Sequence, residues 1–430
     1  GAAPSGCGKT TTAMAGDLFV GDDLAQMWIA DDGSWRAINP EKGIFGIVND
    51  VNWDGDPYLM KVRRVKGQEV SWTIVLVDDD HKPHWEGSGE EPPTKGRNFQ
   101  GDWWEGISDA DGKRIPISHG NARITVRNEA IGNYDRQAAE SPAGAHVKVI
   151  TYSGRDSDTM PPIWVAKNAN HGVVIGASIV SAATATEIGV SGVRRQPWAN
   201  APFIPGALAD YMTAQFELFN SAKLTDPPIL AGLNYFLTHQ ARGGEGPGLL
   251  GEKRDVKAWL GWLERRSHGD VDAIETPVGF LPKYDDLKAL FHDIIGKEYP
   301  RDLYDRQFSI YADKILDRIA LQREAFGKET NLPGTLYEVY DEAQIRESEQ
   351  DVRQAIDAIN DFTPEMDEDP VINRMNPGKL PVIENALSGP IDEVIREAKL
   401  RERRIRPLDT VSQVTLVGLQ DPEVRVLVDP

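Results

Sequence analysis

A run of small residues closed by a lysine and a threonine can grip a phosphate, and this chain opens on one. Residues 1–10 read Gly-Ala-Ala-Pro-Ser-Gly-Cys-Gly-Lys-Thr, so Gly6, Gly8, Lys9 and Thr10 form a G-x-G-K-T core. Small residues let successive backbone N–H groups converge on one anion. Ser5, Gly6, Cys7 and Gly8 are the candidate cradle. Lys9 supplies a point charge for outer phosphates, and the Thr10 hydroxyl suits a divalent metal. The loop is expected at a helix N-terminus, where the dipole favours negative charge. One position departs from G-x-x-x-x-G-K-[ST]: its first glycine is Ala3.

Gly21-Asp22-Asp23 follows the loop closely. Phosphoryl transfer needs this combination: a cation on the phosphates, and a hydroxyl and carboxylates holding metal ions that screen the moving group. A solvated turn or an N-cap pair is the plainer role for Asp22 and Asp23. Cys7 also has two readings. It is a small filler, or a thiol whose pKa is lowered by converging N–H groups and Lys9. Arg123 and Arg155 stand in polar settings, Asn121-Ala122-Arg123 and Gly154-Arg155. An arginine clamps a planar carboxylate or a phosphate, although each alone reads more readily as a surface residue. His119, His171, His239 and His268 lack metal-ligand spacing and are expected to be structural or surface residues.

A phosphate loop needs a buried strand leading into it. Here the chain begins at the turn, so the expectation is the C-terminal piece of a longer protein, or one fragment of a nicked one. Beyond the loop, residues 10–16 continue as a short helix and Asp17–Gly21 reads as a strand. Short β-like runs broken by Gly, Asp and Pro follow, among them Gly46–Val48, Val70–Val77 and Arg123–Val126. Seven tryptophans between Trp28 and Trp104 are expected to fill core or cover sheet edges. Val147–Tyr152 and Gly172–Val180 read as strands, and Ser181–Gly192 as a mobile loop. Tyr211–Phe219 and Asp255–Arg266 carry helical spacing. Tyr284 to about Ala358 reads as largely helical, Thr363–Pro381 as a linker, Pro390–Arg403 as a helix, and Ser412–Val428 as two strands. The fold class is α/β, in its mixed α+β form. Three regions are expected: a catalytic domain over 1–283, a helical region over 284–362, and a linker with a small extension over 363–430.

The 430 residues are 40% hydrophobic and 27% charged, ordinary for a globular protein with a large core. No run of 18 apolar residues suggests a membrane span. The formal net charge of −20, without a basic run, argues against nucleic acid and anionic membranes as partners. One cysteine excludes an internal disulfide framework and fits a cytoplasmic location.

Taken in order, these motifs resemble phosphoenolpyruvate carboxykinase of the GTP- and pyrophosphate-dependent lineage. Pro4–Met14 resembles the family's kinase loop, with a cysteine before Gly-Lys-Thr. Val20–Ala25 is similar to its second metal motif, and Arg36–Phe45 to the segment after it. His119–Arg123 matches a His-x-Asn-x-Arg substrate segment, and Tyr152–Arg155 a Gly-Gly-Arg turn. Asn234-Tyr235-Phe236 and Thr276–Pro282 match as well. The resemblance runs from residue 1 to about 300.

It implies a P-loop carboxykinase domain with a helical C-terminal region. The implied reaction is reversible: oxaloacetate loses CO2, and the enolate is phosphorylated to phosphoenolpyruvate. By the match, Asp23 ligates Mn2+ at the substrate. Thr10 ligates the Mg2+ that accompanies the phosphoryl donor, with Asp22 nearby. Lys9 bridges donor phosphates, Asn121 and Arg123 position substrate oxygens, and Arg155 contacts donor phosphates. Ser181–Gly192 corresponds to the closing lid.

Two departures bear on the implied site. The family's remaining Mn2+ ligands, a lysine and a histidine, precede the loop, as does a substrate-holding arginine. The missing N-terminal portion of the same protein is therefore an expected partner. GTP-dependent members clamp guanine between phenylalanines after Asn-x-Phe. Here Phe236 remains, but 240–253 holds no aromatic, and Leu249 or Leu250 and Lys253 occupy that region. Each lost stacking face removes about 1–3 kcal/mol. The extension through 363–430 points the same way, so the expected donor is pyrophosphate, with GTP the alternative. An unrelated P-loop kinase or NTPase, or a non-catalytic anion-binding fragment, is the more distant alternative.

Overall fold

The computed structural model describes residues 1–4, 6–63, 65–182, 193–194, 206–246, 248–343, 372–375, 382–386, 390–405, 411–417 and 423–428. The chain divides into two compact units: Gly1–Glu275 with Gly279–Ser309, and Thr276–Val278 with Ile310–Pro430.

The first unit is built on a mixed sheet. Val149–Gly154 and Ile229–Asn234 lie parallel, with Val149 opposite Ile229 and Gly154 opposite Asn234. Ile163–Val165 runs antiparallel to Ile229–Asn234, and Gly279–Leu281 joins at Val165. Most residues of these strands are buried, Thr151 and Ser153 included, as befits strands covered on both faces. Ala2 extends the sheet beyond Val149–Gly154. Its N–H donates to Thr151 O at 2.7 Å and its carbonyl accepts from Ser153 N at 2.9 Å. The phosphate loop therefore leaves from the end of a sheet.

Ala169–Ala177 is a helix, where Gly172–Val180 was expected to be a strand. Asn168 caps it by accepting from His171 N–H. A Cβ on Gly172 would lie 2.2 Å from Leu230, and one on Gly176 2.6 Å from Tyr152. Two glycines four apart let the helix settle onto the strands. Val173, Val174, Ile175 and Ala177 are all buried, so no polar face betrays the helical period. The helices Leu208–Phe219 and Val256–His268 cover the expected spans.

A second, antiparallel sheet orders Gly43–Ile47, Arg123–Arg127 and Val70–Thr73 around a core that includes Ile44, Leu59, Met60 and Val126. Met14, on the helix Lys9–Ala15, belongs to the same core. That anchors the phosphate loop to this sheet. Asp17–Gly21 does not form the expected strand. Only Phe19 bridges, to Tyr134, by one pair of backbone bonds. The run Val70–Val77 breaks at Ile74, whose φ is +51°, into Val70–Thr73 and Leu76–Val77. Trp35, Trp85 and Trp103 are buried as expected, whereas Trp53 and Trp104 are exposed.

In the second unit, the helix Ala312–Phe326 precedes a helical run described over 334–343. Ile372–Met375, Val382–Ala386, Glu423–Val428 and Val411–Val417 form an antiparallel sheet in that spatial order. Ile372–Met375 falls inside the stretch expected to be linker. The helix Ile391–Ile405 matches its expectation. Residues 344–358 of the expected helical region lie outside the described residues.

Candidate active site

The loop folds around two glycines with positive φ, Gly6 at +72° and Gly8 at +88°. That conformation suits glycine because it has no Cβ. Space enforces it at Gly8, where a Cβ would stand 2.6 Å from the Tyr235 ring. Tyr235 also fastens the loop helix. Its hydroxyl lies 2.6 Å from Thr12 Oγ1, which donates to Gly8 O at 2.8 Å. Burial raises the Tyr235 phenol far above its ordinary range, so it stays protonated. Cys7 is fully buried, and its N–H donates to Pro4 O at 3.2 Å. Burial fits the filler reading better than an exposed nucleophile. Ser5 lies outside the described residues.

The acidic turn meets the loop directly. Lys9 Nζ is ion-paired with Asp23, and Thr10 Oγ1 donates to Asp22 Oδ2 at 3.2 Å. Asn39 braces the turn by donating to Val20 O at 3.2 Å. Its amide packs so tightly on Gly21 that a Cβ there would lie 2.2 Å away. Burial raises the Asp22 pKa, against the lowering effects of the Thr10 bond and Lys9. Asp22 Oδ1 is buried without a hydrogen-bond partner. An unpartnered buried carboxylate oxygen is costly, and a cation would relieve it. The donor set is all oxygen, which suits a hard divalent ion such as Mg2+ or Mn2+. Among the described residues no three His, Cys, Asp or Glu side chains group to hold a metal. The chain's own candidate ligands are thus two carboxylates and a hydroxyl.

Two arginines complete the site. Arg155 lies with its guanidinium carbon 4.3 Å from the centre of the Phe236 ring. Its backbone is tied to Val180 O. Arg123 Nε donates to Asn121 Oδ1 at 2.9 Å, and Nη1 to Phe45 O at 3.1 Å. Asn121 N–H in turn donates to His119 Nδ1 at 3.0 Å.

Lys9, Thr10, Asp22, Asp23, Arg123 and Arg155 line one cavity of about 540 Å³, and Gly6, Gly8 and Phe236 also border it. Residues separated by more than a hundred positions thus share one space. Asn121 and Cys7 do not line it. Asn121 reaches it only through Arg123, rather than touching a substrate oxygen in this geometry. Sequence reasoning missed Asp56, which lines the same cavity and is paired with Lys253. Nothing local marks Asp56, because its partner is 197 positions away. Of the lid segment only Ser181–Ala182 is described, paired antiparallel with Val193–Arg194.

Residues 1–346 match the phosphoenolpyruvate carboxykinase C-terminal P-loop domain. The chain belongs to the phosphoenolpyruvate carboxykinase family. A protein of Pyrococcus horikoshii is 43% identical over 341 residues, 78% of this chain and 53% of that protein. One of Thermococcus kodakarensis is 42% identical over 349 residues, 80% and 54%. One of Saccharolobus solfataricus is 35% identical over 362 residues, 84% and 56%. Each is named phosphoenolpyruvate carboxykinase [GTP]. This chain spans about half the length of these relatives. Their names correct the expected donor. The relatives similar to this chain are named for GTP, which supports the alternative donor and not pyrophosphate. No helix among the described residues is long and apolar enough to cross a membrane.

Proposed function

We propose that this chain is the P-loop catalytic portion of a GTP-dependent phosphoenolpyruvate carboxykinase. The proposed reaction decarboxylates oxaloacetate to an enolate and CO2, and transfers the γ-phosphoryl group of GTP to the enolate oxygen. The observation that carries the reading is the single cavity where Lys9, Thr10, Asp22, Asp23, Arg123 and Arg155 converge. Two anions must approach each other, and fixed cations on both make that approach possible.

Lys9 is the charge for the donor's outer phosphates, and Arg155, steadied by Phe236, is the second cation on them. Arg123 has Nε and Nη1 engaged, and its Nη2 is available to a substrate carboxylate. Thr10 and Asp22 would hold Mg2+ with the nucleotide, and Asp23 would hold Mn2+ at the substrate. Such ions screen phosphate charge and stabilise the developing enolate. Cys7 shapes the loop from within. Oxaloacetate, phosphoenolpyruvate, CO2 and GTP are thus the proposed small partners. The portion of the relatives that this chain does not cover is the proposed polypeptide partner, and a cytoplasmic location fits all of them.

The test is turnover by the full-length protein that contains this chain, with oxaloacetate, Mn2+ and Mg2+. Phosphoenolpyruvate should form with GTP and ITP and scarcely with ATP. GTP hydrolysis without phosphoenolpyruvate formation would reduce the protein to a P-loop NTPase.

A further inference from the structure

Behind the cavity wall, Arg155 and Phe236 are joined by a side chain that no step of the reaction uses. Asn234 ends the strand Ile229–Asn234 and is buried. It does not line the cavity, whereas Arg155, Tyr235 and Phe236 do. We propose that Asn234 is a positioning residue of the phosphate site: its carboxamide holds the Arg155 guanidinium over the Phe236 ring, ready for the donor's phosphates. The inference rests on the assignment of Arg155 to those phosphates in the function proposed above.

The carboxamide spends its whole bonding capacity on two segments. It has two N–H donors and two acceptor lone pairs. Asn234 Nδ2 donates to Asp156 O and to Met160 O, each at 2.8 Å. Its Oδ1 accepts from Asp156 N–H at 3.3 Å and from Phe236 N–H at 3.1 Å. One side chain thus ties the residue after Arg155, 78 positions away, to the backbone of Phe236. Two carbonyls on one side and two N–H groups on the other fix which way the amide points. An aspartate of the same size would turn lone pairs on both carbonyls, and a serine has one donor only.

Other bonds hold the chain on both sides of Arg155. Asp156 Oδ1 accepts from Asp158 N–H at 3.1 Å and from Thr159 N–H at 2.8 Å. Arg155 N–H donates to Val180 O, and a Cβ on Gly154 would lie 2.7 Å from that same oxygen. The backbone is therefore set, and the guanidinium takes its place from the Phe236 ring, 4.3 Å below it. Asn234 bonds to the backbone on both sides of that stack. A free arginine side chain loses much rotamer freedom when it grips an anion. One already stacked and held loses less, so more of its attraction appears as affinity.

The test is binding of inorganic triphosphate to the full chain in Mg2+, by titration calorimetry, for wild type, Asn234→Ser, Arg155→Met and the double variant. Arg155→Met should weaken binding about ten- to hundredfold, the worth of a hydrogen bond between charged groups. Asn234→Ser should weaken it about tenfold, as when a partner that orients a ligating group is removed. The double variant should bind no more weakly than Arg155→Met, because Asn234 acts through Arg155. Mn2+ alone should bind all four proteins equally, whereas a general loosening of the fold would weaken it too. Hydrogen exchange carries the test if Asn234→Ser does not fold. In wild type, triphosphate should slow exchange at the Asp156 and Phe236 amides together, and in Arg155→Met at neither. An Arg155→Met variant with wild-type affinity overturns the assignment of Arg155 to the donor, and Asn234's role with it. A loss in Asn234→Ser that is absent, that persists in full beside Arg155→Met, or that Mn2+ shares overturns the role of Asn234 alone. Exchange slowed at only one of the two amides does the same.

Discussion

Lys9 and Asp23 are ion-paired across 14 positions of chain, joining the phosphate loop to the acidic turn that follows it. Each has another claimant in the proposed reaction: phosphate oxygens for the ammonium, a divalent ion for the carboxylate. A polyphosphate that takes Lys9 releases Asp23, and a metal that takes Asp23 releases Lys9. The contact thus links the two binding events, and linkage is reciprocal.

Lys9→Ala should consequently have opposite effects on metal affinity and on turnover. Removing the ammonium frees Asp23, so Mn2+ alone binds tighter. The gain is about two- to fivefold, since the pair is half exposed and such pairs are weak. Turnover should fall by about 10²–10³-fold, as for loss of a charge-stabilising donor in the transition state. Calorimetry with Mn2+ and a steady-state assay on the full-length enzyme check the two halves. Weaker Mn2+ binding in the variant would show that Lys9 does not compete for Asp23.

Asp22 should act in opposite directions on stability and on metal binding. Burial raises its pKa above the ordinary 3.8. Between 3.8 and the raised value the folded state holds the extra proton, so stability falls as pH rises through that window. Above it, the ionised and partly unpartnered carboxylate is a standing cost. Asp22→Asn should raise the metal-free melting temperature at pH 7, by on the order of 2 °C. It should also remove the stabilisation that Mg2+ gives the wild type. Melting curves at pH 4 and pH 7, with and without Mg2+, decide it. A variant less stable at pH 7 than wild type would contradict the burial argument.

What could be read from sequence was local. The loop, its helix and Asp22-Asp23 declare themselves by spacing within two dozen residues, and the structure brings them together. The helix Ala169–Ala177 looks like a strand in sequence because a helix with Gly172–Ala177 all buried shows no period, only a β-branched run. Asp17–Gly21 has strand composition but a single bridging partner, and composition cannot count partners. Arg123 and Arg155 could be nominated from sequence, but only the fold shows that they share a cavity. Asp56 could not be nominated at all, because its meaning comes from Lys253. The expectation of pyrophosphate rests on the lack of aromatic faces in 240–253, whereas relatives 41–43% identical to this chain carry GTP in their names.

Gly8→Ala should weaken both fold and nucleotide grip. The residue needs φ of +88°, and its new methyl would strike the Tyr235 ring. Such strain costs about 1–3 kcal/mol. Tyr235→Phe keeps the ring and loses only the Thr12 bond, about 1 kcal/mol. Tyr235→Ala removes the clash, so the Gly8→Ala/Tyr235→Ala double variant should be more stable than the two single losses sum to. Urea unfolding of the four proteins gives the coupling. Simple additivity would place the whole cost in the backbone.

Asn121 should matter through Arg123 and not through the nucleotide. Its carboxamide bonds Arg123 Nε but does not line the cavity. Asn121→Ala leaves the guanidinium charge in place and loosens its orientation, so the carboxylate-bearing substrate should suffer first. KM for oxaloacetate should rise about tenfold, the worth of one charge-assisted bond, with KM for GTP unchanged. Arg123→Lys should be worse than Asn121→Ala, because lysine cannot keep the bonds to Asn121 and Phe45 O while offering a third nitrogen. If Asn121→Ala instead raises KM for GTP, Arg123 belongs to the donor's side of the cavity, and the division of labour between Arg123 and Arg155 is reversed.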